Sequence, residues 1–67
     1  MKETMIIIKY YEWLRFLKYP DRMPVWEICD KEYKTIRQIN REEAKRLIKA
    51  NNLKLVFHSN DGAIYEQ

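Results

Sequence analysis

The chain has 67 residues, of which 13 are basic and 10 are acidic, giving a net charge of +3, and it contains one cysteine and one glycine. So short a chain allows one compact domain over residues 1–67 with one small core. One cysteine excludes an intrachain disulfide, and one glycine excludes the glycine-rich phosphate loops. The longest apolar run, residues 5–8, is far shorter than the roughly 20 residues of a membrane-spanning helix. We therefore expect a cytoplasmic protein that makes no membrane contact and keeps Cys29 as a reduced core residue.

The first predicted element is a strand over residues 5–11, where isoleucine and tyrosine predominate. The apolar positions from Ile6 to Leu17 also fit helical spacing, so residues 12–18 are either a strand continuation or a short helix. Pro20 and Pro24 predict an irregular stretch over residues 19–24. This first strand is the one expected at an open edge of the sheet.

The middle of the chain predicts two strands and a helix. Residues 25–29 and 33–39 favour strands joined by a two-residue turn at 30–31. Asn40 and Glu43 have the spacing of a capping box, in which each side chain bonds the other residue's backbone N–H. Acidic residues in the first turn and Lys49 near the end suit the helix dipole, so a helix is predicted over residues 41–50.

The last segment predicts a β-hairpin. Leu53, Leu55 and Phe57 are expected on one face of a strand, with Lys54, Val56 and His58 on the other. Residues 60–62 suit a three-residue loop with Gly62 in the left-handed region, a register that places Phe57 opposite Tyr65.

Together these elements predict a small α+β domain: an antiparallel sheet of about four strands, one well-specified helix and a C-terminal β-hairpin. The predicted core comprises Ile6, Ile8, Trp26, Ile28, Ile39, Ala44, Leu47, Ile48, Leu55 and Phe57.

Residues with catalytic or metal-binding chemistry are sparse. The sole histidine, His58, is expected on a solvent-facing strand position, and one histidine with one cysteine cannot form a Cys/His zinc site. Residues 60–62 lack the remaining ligands of a calcium loop. Capping accounts for the acidic pair at the start of the helix. We therefore expect no enzyme activity, no catalytic residues, no cofactor, no metal and no small-molecule substrate.

Basic residues concentrate in residues 31–54, which carry eight basic and three acidic side chains. Such a stretch can lie along a phosphate backbone, although any amphipathic helix also needs a solvated face. Nucleic-acid binding is therefore the alternative function, with six candidate contacts: Arg37, Arg41, Lys45, Arg46, Lys49 and Lys54.

A protein partner or self-association is the slightly favoured function. Small domains often gain stability by oligomerising, and the chain has more large aromatic residues than a small core needs. The candidate interface residues are Tyr11, Trp13, Tyr19, Arg22 and Met23.

Overall fold

The protein is described here by a computed structural model that covers residues 5–14, 18 and 21–67. Its elements are β1 (Ile6–Leu14), β2 (Asp21–Cys29), β3 (Thr35–Ile39), α1 (Arg41–Ala50), β4 (Lys54–Ser59) and β5 (Gly62–Glu66). The predicted α+β class, the helix and the C-terminal hairpin are confirmed, and the described sheet has five strands rather than about four.

Strand β1 lies at the centre of the sheet, whose order is β3-β2-β1-β5-β4 with every neighbouring pair antiparallel. The prediction that the first strand forms an edge is therefore wrong. Ile6 and Ile7 point to opposite faces of the sheet and both are buried. A continuous apolar run is typical of a strand that is covered on both faces, which is the position of a central strand.

Strands β1 and β2 extend past the ends of β5 and β3 and form a two-stranded arm. All nine residues of β1 pair with β2, from Ile6 opposite Cys29 to Leu14 opposite Asp21. Strand β5 reaches only Tyr10, and β3 reaches only Trp26. Residues 12–14 thus continue the strand, whereas residues 15–17 lie outside the described residues.

The predicted irregular stretch over residues 19–24 is wrong for residues 21–24, which belong to β2, while residues 19 and 20 lie outside the described residues. Pro24 pairs with Tyr11 at a level where β3 has already ended. A proline is tolerated there because a strand with a neighbour on one side only can spare one backbone N–H.

The connection between β2 and β3 is longer than the predicted two-residue turn. The Asp30 carboxylate accepts hydrogen bonds from the backbone N–H groups of Glu32 and Lys34. Tyr33 adopts a positive φ of 64° and ends the turn, so β3 begins at Thr35 rather than at residue 33.

Helix α1 has the predicted bounds because its cap is local in sequence. The Asn40 Oδ1 atom accepts a hydrogen bond of 2.7 Å from the Glu43 backbone N–H. Ala44 is fully buried against the sheet, and Leu47 and Ile48 pack beside it. Among the described residues, no helix is long and apolar enough to cross a membrane.

The face of the sheet that α1 covers is called the helix-side face, and it holds the main core. This cluster consists of Ile7, Trp26, Ile28, Ile39, Ala44 and Leu53, with Met5, Leu47, Ile48 and Tyr65 packed against it. The other face is called the open face, where Ile6, Val25 and Cys29 are also buried.

The largest difference between the predicted core and the observed one is in strand β4. Leu55 and Phe57 are 51% and 54% exposed, so their assignment to the core is wrong. A bulge between them leaves Val56 unpaired and turns Leu55 and Phe57 to opposite faces. Because β4 is an edge strand, neither side chain gains a covering neighbour. Ile8, also assigned to the core, is only partly buried.

The turn of the last hairpin has two residues rather than three. Ser59 pairs with Gly62, Phe57 pairs with Ile64, and Leu55 takes the place opposite Tyr65 that had been predicted for Phe57. Gly62 is required for packing, because a Cβ atom at this position would overlap the Lys9 backbone carbonyl of the adjacent strand.

A hydrogen-bonded cluster on the open face ties β1, β2 and β3 together. The Tyr10 hydroxyl and the Thr35 hydroxyl each donate to the Glu27 carboxylate, at 2.8 Å in both cases. The bond to Glu27, together with burial, raises the pKa of Tyr10 to about 12. Burial also raises the pKa of the Cys29 thiol.

The contact of Gly62 with β1 predicts that Gly62→Ala will destabilise the protein. We expect a loss of roughly 2 kcal/mol in the free energy of unfolding, measured by urea denaturation, since the added methyl group must separate β5 from β1. Asp61→Ala in the adjacent turn is the control, because the Asp61 side chain is 97% exposed. Equal stability of the two variants would contradict this account of Gly62.

The pKa of Tyr10 predicts a loss of stability at high pH. A raised pKa in the folded state means that the stabilisation is fully present below the ordinary value of 10.0 and is lost as the pH rises through about 12. Urea denaturation across this range should show a steeper fall for the natural protein than for Tyr10→Phe. At neutral pH, Tyr10→Phe should cost about 1 kcal/mol through the lost hydrogen bond. Parallel pH profiles for the two proteins would refute the assignment.

Candidate basic and aromatic surface

Charge is separated between the two faces of the sheet. Among the described residues, the helix-side positions of β1, β2 and β5 carry no carboxylate, whereas four acidic residues of these strands lie on the open face: Glu12, Asp21, Glu27 and Glu66. The separation follows from strand alternation, since residues two apart share a face. The helix-side face is therefore electropositive where α1 does not cover it.

Cations and aromatic rings alternate along this uncovered area, which we call the strip: Lys9, Tyr11, Trp13 and Arg22, with the buried Trp26 ring beneath Lys9 at the inner end. The Lys9 Nζ atom lies 5.3 Å from the centre of the Trp26 ring and 5.2 Å from that of Tyr11. The Arg22 Cζ atom lies 4.6 Å from the Tyr11 ring centre and 5.9 Å from that of Trp13. These distances are within the range of cation–π attraction.

The strip is open to solvent at its outer end. Trp13 is 59% exposed although it belongs to a strand. Arg22 is held in place by a second contact, because its Nη1 atom donates to the Asn60 carbonyl oxygen at 3.3 Å and lies 4.0 Å from the Asp61 carboxylate. An exposed ion pair of this length contributes little energy, so the Arg22 charge stays available to a ligand.

At its inner end the strip enters a groove of about 380 Å³ beside the first turns of α1. This basic groove is lined by Lys9, Pro24, Trp26, Arg41, Lys45 and Tyr65. The Trp26 and Tyr65 rings stack with centroids 6.0 Å apart and an angle of 30° between their planes. Three cations from two elements thus meet around two aromatic rings.

Trp26 has one further property in this groove. It is only 6% exposed, and its indole Nε1–H has no hydrogen-bond acceptor among the described residues. Buried donors are normally paired, and an unpaired one costs free energy. The unpaired indole N–H is therefore an energetic cost that Trp26 carries within the core.

The six predicted nucleic-acid contacts do not form one surface. Arg41 and Lys45 line the basic groove, whereas Arg37 forms an ion pair of 2.9 Å with Glu43. Arg46 and Lys49 are exposed elsewhere on α1. Lys54 pairs with Glu66 in the sheet and so belongs to the open face.

The five predicted interface residues also separate. Tyr11, Trp13 and Arg22 belong to the strip, Met23 is exposed on the open face, and Tyr19 lies outside the described residues. Sequence reasoning missed Lys9, Trp26 and Tyr65 as members of a site. Strand alternation could have grouped Lys9 with Tyr11 and Trp13, because residues 9, 11 and 13 share one face of any strand in this region.

A second exposed feature is the apolar edge, formed by Leu55, Val56 and Phe57 of β4. Each of the three is at least 51% exposed. The opposite edge, β3, exposes one large apolar residue, Ile36, among Thr35, Arg37 and Gln38. The two edges of the sheet thus differ in chemistry.

Within the described part of the chain, no three histidine, cysteine or acidic side chains are grouped so as to hold a metal ion. His58 is exposed on β4. Comparison with protein-family models, with curated proteins and with solved structures finds no match for this chain.

Proposed function

We propose that this protein is a non-catalytic binding module that holds single-stranded nucleic acid on the strip. The observation that carries the proposal is the alternation of Lys9 and Arg22 with the rings of Tyr11 and Trp13, on a face whose described β1, β2 and β5 positions carry no carboxylate. Single-strand-binding proteins use this combination, because rings stack on bases and cations follow the phosphates.

The dimensions of the strip suit a short strand. Residues 9 to 13 of β1 span about 13 Å at about 3.3 Å per residue, the length of roughly four stacked nucleotides. Every base has a face on which a ring can stack, and phosphate contacts carry no sequence information. Binding is therefore expected to depend weakly on sequence.

The acidic residues of the open face favour binding of nucleic acid to the helix-side face. Glu12 and Glu27 repel a polyanion from that side, whereas Lys9 and Arg22 attract it to the other. The net charge of +3 alone would not distinguish the two sides.

This function predicts salt-sensitive binding of single-stranded DNA or RNA of about 8 nucleotides, measured by titration calorimetry at several salt concentrations. Trp13→Ala should weaken binding roughly tenfold and leave the salt dependence unchanged, because it removes stacking. Arg22→Ala should reduce the slope of log K against log salt by about 0.7, because it removes one phosphate contact.

Lys31→Ala is the matched control for charge, since Lys31 is exposed in the turn at the far end of β2 from the strip. It should leave both affinity and slope nearly unchanged. Absence of binding at low salt, or equal weakening by Lys31→Ala and Arg22→Ala, would refute the proposal.

A second candidate function is self-association through the apolar edge. An edge strand presents unpaired backbone groups that can pair with another strand, and β4 adds three exposed apolar side chains to them. The partner that best matches this edge is the β4 strand of a second copy, because the same apolar patch then meets itself across a two-fold axis. The bulge at Val56 interrupts regular pairing, so side-chain packing would supply most of the contact.

Self-association predicts a dimer in light scattering at high protein concentration, and Phe57→Lys should convert it to a monomer. Ile36→Lys on β3 is the matched control, because Ile36 is 63% exposed on the opposite edge and should not affect the dimer. A natural protein that remains monomeric would exclude this role for β4, as would a dimer that persists in Phe57→Lys.

A further inference from the structure

The inner end of the strip is closed by the helix. Ala44 of α1 is fully buried in the same cluster as Ile7 and Trp26, so the helix-side face is covered immediately beyond Lys9. A strand that stacks on Trp13 and Tyr11 and proceeds inward therefore meets α1 rather than more open sheet. The basic groove lies at this meeting point.

The charge in the groove exceeds what one internal phosphate requires. Lys9, Arg41 and Lys45 supply three positive charges, and none of the described residues that line the groove is acidic. An internal phosphodiester carries one negative charge, whereas a terminal phosphomonoester carries about −1.5 to −2 at pH 7. Charge-assisted hydrogen bonds to an ionised group are the stronger kind, so the terminal group gains more from this site.

The groove on the other side of the helix start is less suited to an anion. It is lined in part by Asn40, Arg41 and Glu43, and because the Glu43 carboxylate is paired with Arg37, this groove offers one cation against the three of the basic groove. The basic groove also holds the partly exposed ring of Tyr65, stacked on the buried Trp26, and Tyr65 offers apolar surface to a base or sugar. These differences select the basic groove and indicate a nucleoside phosphate rather than a bare anion.

We infer that the basic groove is a site for a nucleoside phosphomonoester, supplied by the phosphorylated end of a bound strand. This inference rests on the proposed function, because the strip holds the rest of the strand. The terminal phosphate oxygens lie among Lys9, Arg41 and Lys45, and the terminal nucleoside lies beside Tyr65.

The experiment compares three oligonucleotides of one sequence by titration calorimetry: 5′-phosphorylated, 3′-phosphorylated and with hydroxyl groups at both ends. One phosphorylated end should bind roughly tenfold more tightly than the hydroxyl form at low salt. Lys45→Ala should reduce this preference to less than about twofold, because it removes one of the three cations. Lys49→Ala is the matched control, since Lys49 is an exposed lysine one turn further along α1 and does not line the groove.

The outcomes separate this inference from the proposed function. Equal binding of all three oligonucleotides would overturn the inference and leave the strip as the binding site, and so would a preference that Lys45→Ala and Lys49→Ala reduce equally. If no oligonucleotide binds, the proposed function fails. Titration with adenosine monophosphate then tests whether the basic groove binds a nucleoside phosphomonoester. Binding of this nucleotide that Lys45→Ala abolishes would support a free nucleotide as the source of the phosphomonoester; no binding would overturn the inference as well.

Discussion

The central position of β1 is the constraint on which the rest of the structure depends. Its first residues, Ile6 and Ile7, are buried on opposite faces, so one strand contributes to the packing on both sides of the sheet. After Ile8 the same strand carries Lys9 and Tyr11 toward the helix-side face, where α1 no longer covers it. Strand β2 follows β1 along its whole length and places Arg22 beside those residues. The strip is thus an extension of the core strands, and the packing of the inner half fixes the geometry of the outer half.

The parts of the fold that were predictable from sequence are those that depend on neighbours in the chain. The helix over residues 41–50 was predicted because Asn40 and Glu43 have the spacing of a capping box, and the Asn40 side chain caps it without help from the sheet, although the Glu43 carboxylate accepts from Arg37 instead of completing the box. The strand order and the exposure of Phe57 could not be predicted, because both depend on which strand lies beside which. The bulge at Val56 shows the difficulty: one extra residue changes the face to which Phe57 points, and alternation alone gives no sign of it.

The site follows the same division. Arg41 and Lys45 lie together because helical residues four apart share a face, which the sequence alone specifies once the helix is known. Their neighbours in the basic groove, Lys9 and Trp26, come from strands whose pairing no local pattern specifies, and they meet only because position 9 lies opposite position 26. Arg37 was expected to be available for binding, but its ion pair with Glu43 joins β3 to the helix. Charge counted along the sequence therefore predicted where basic residues are abundant, but not which of them meet aromatic rings.

The reactivity of the single thiol, Cys29, can measure how often the folded protein opens locally. Cys29 is 1% exposed where β2 pairs with the first residue of β1, and burial disfavours its thiolate. Alkylating reagents react with the thiolate. In the folded molecule Cys29 is protected because the reagent cannot reach it and because little of the thiol is ionised. Modification must then wait until the central pair of strands separates, and its rate measures how often that happens.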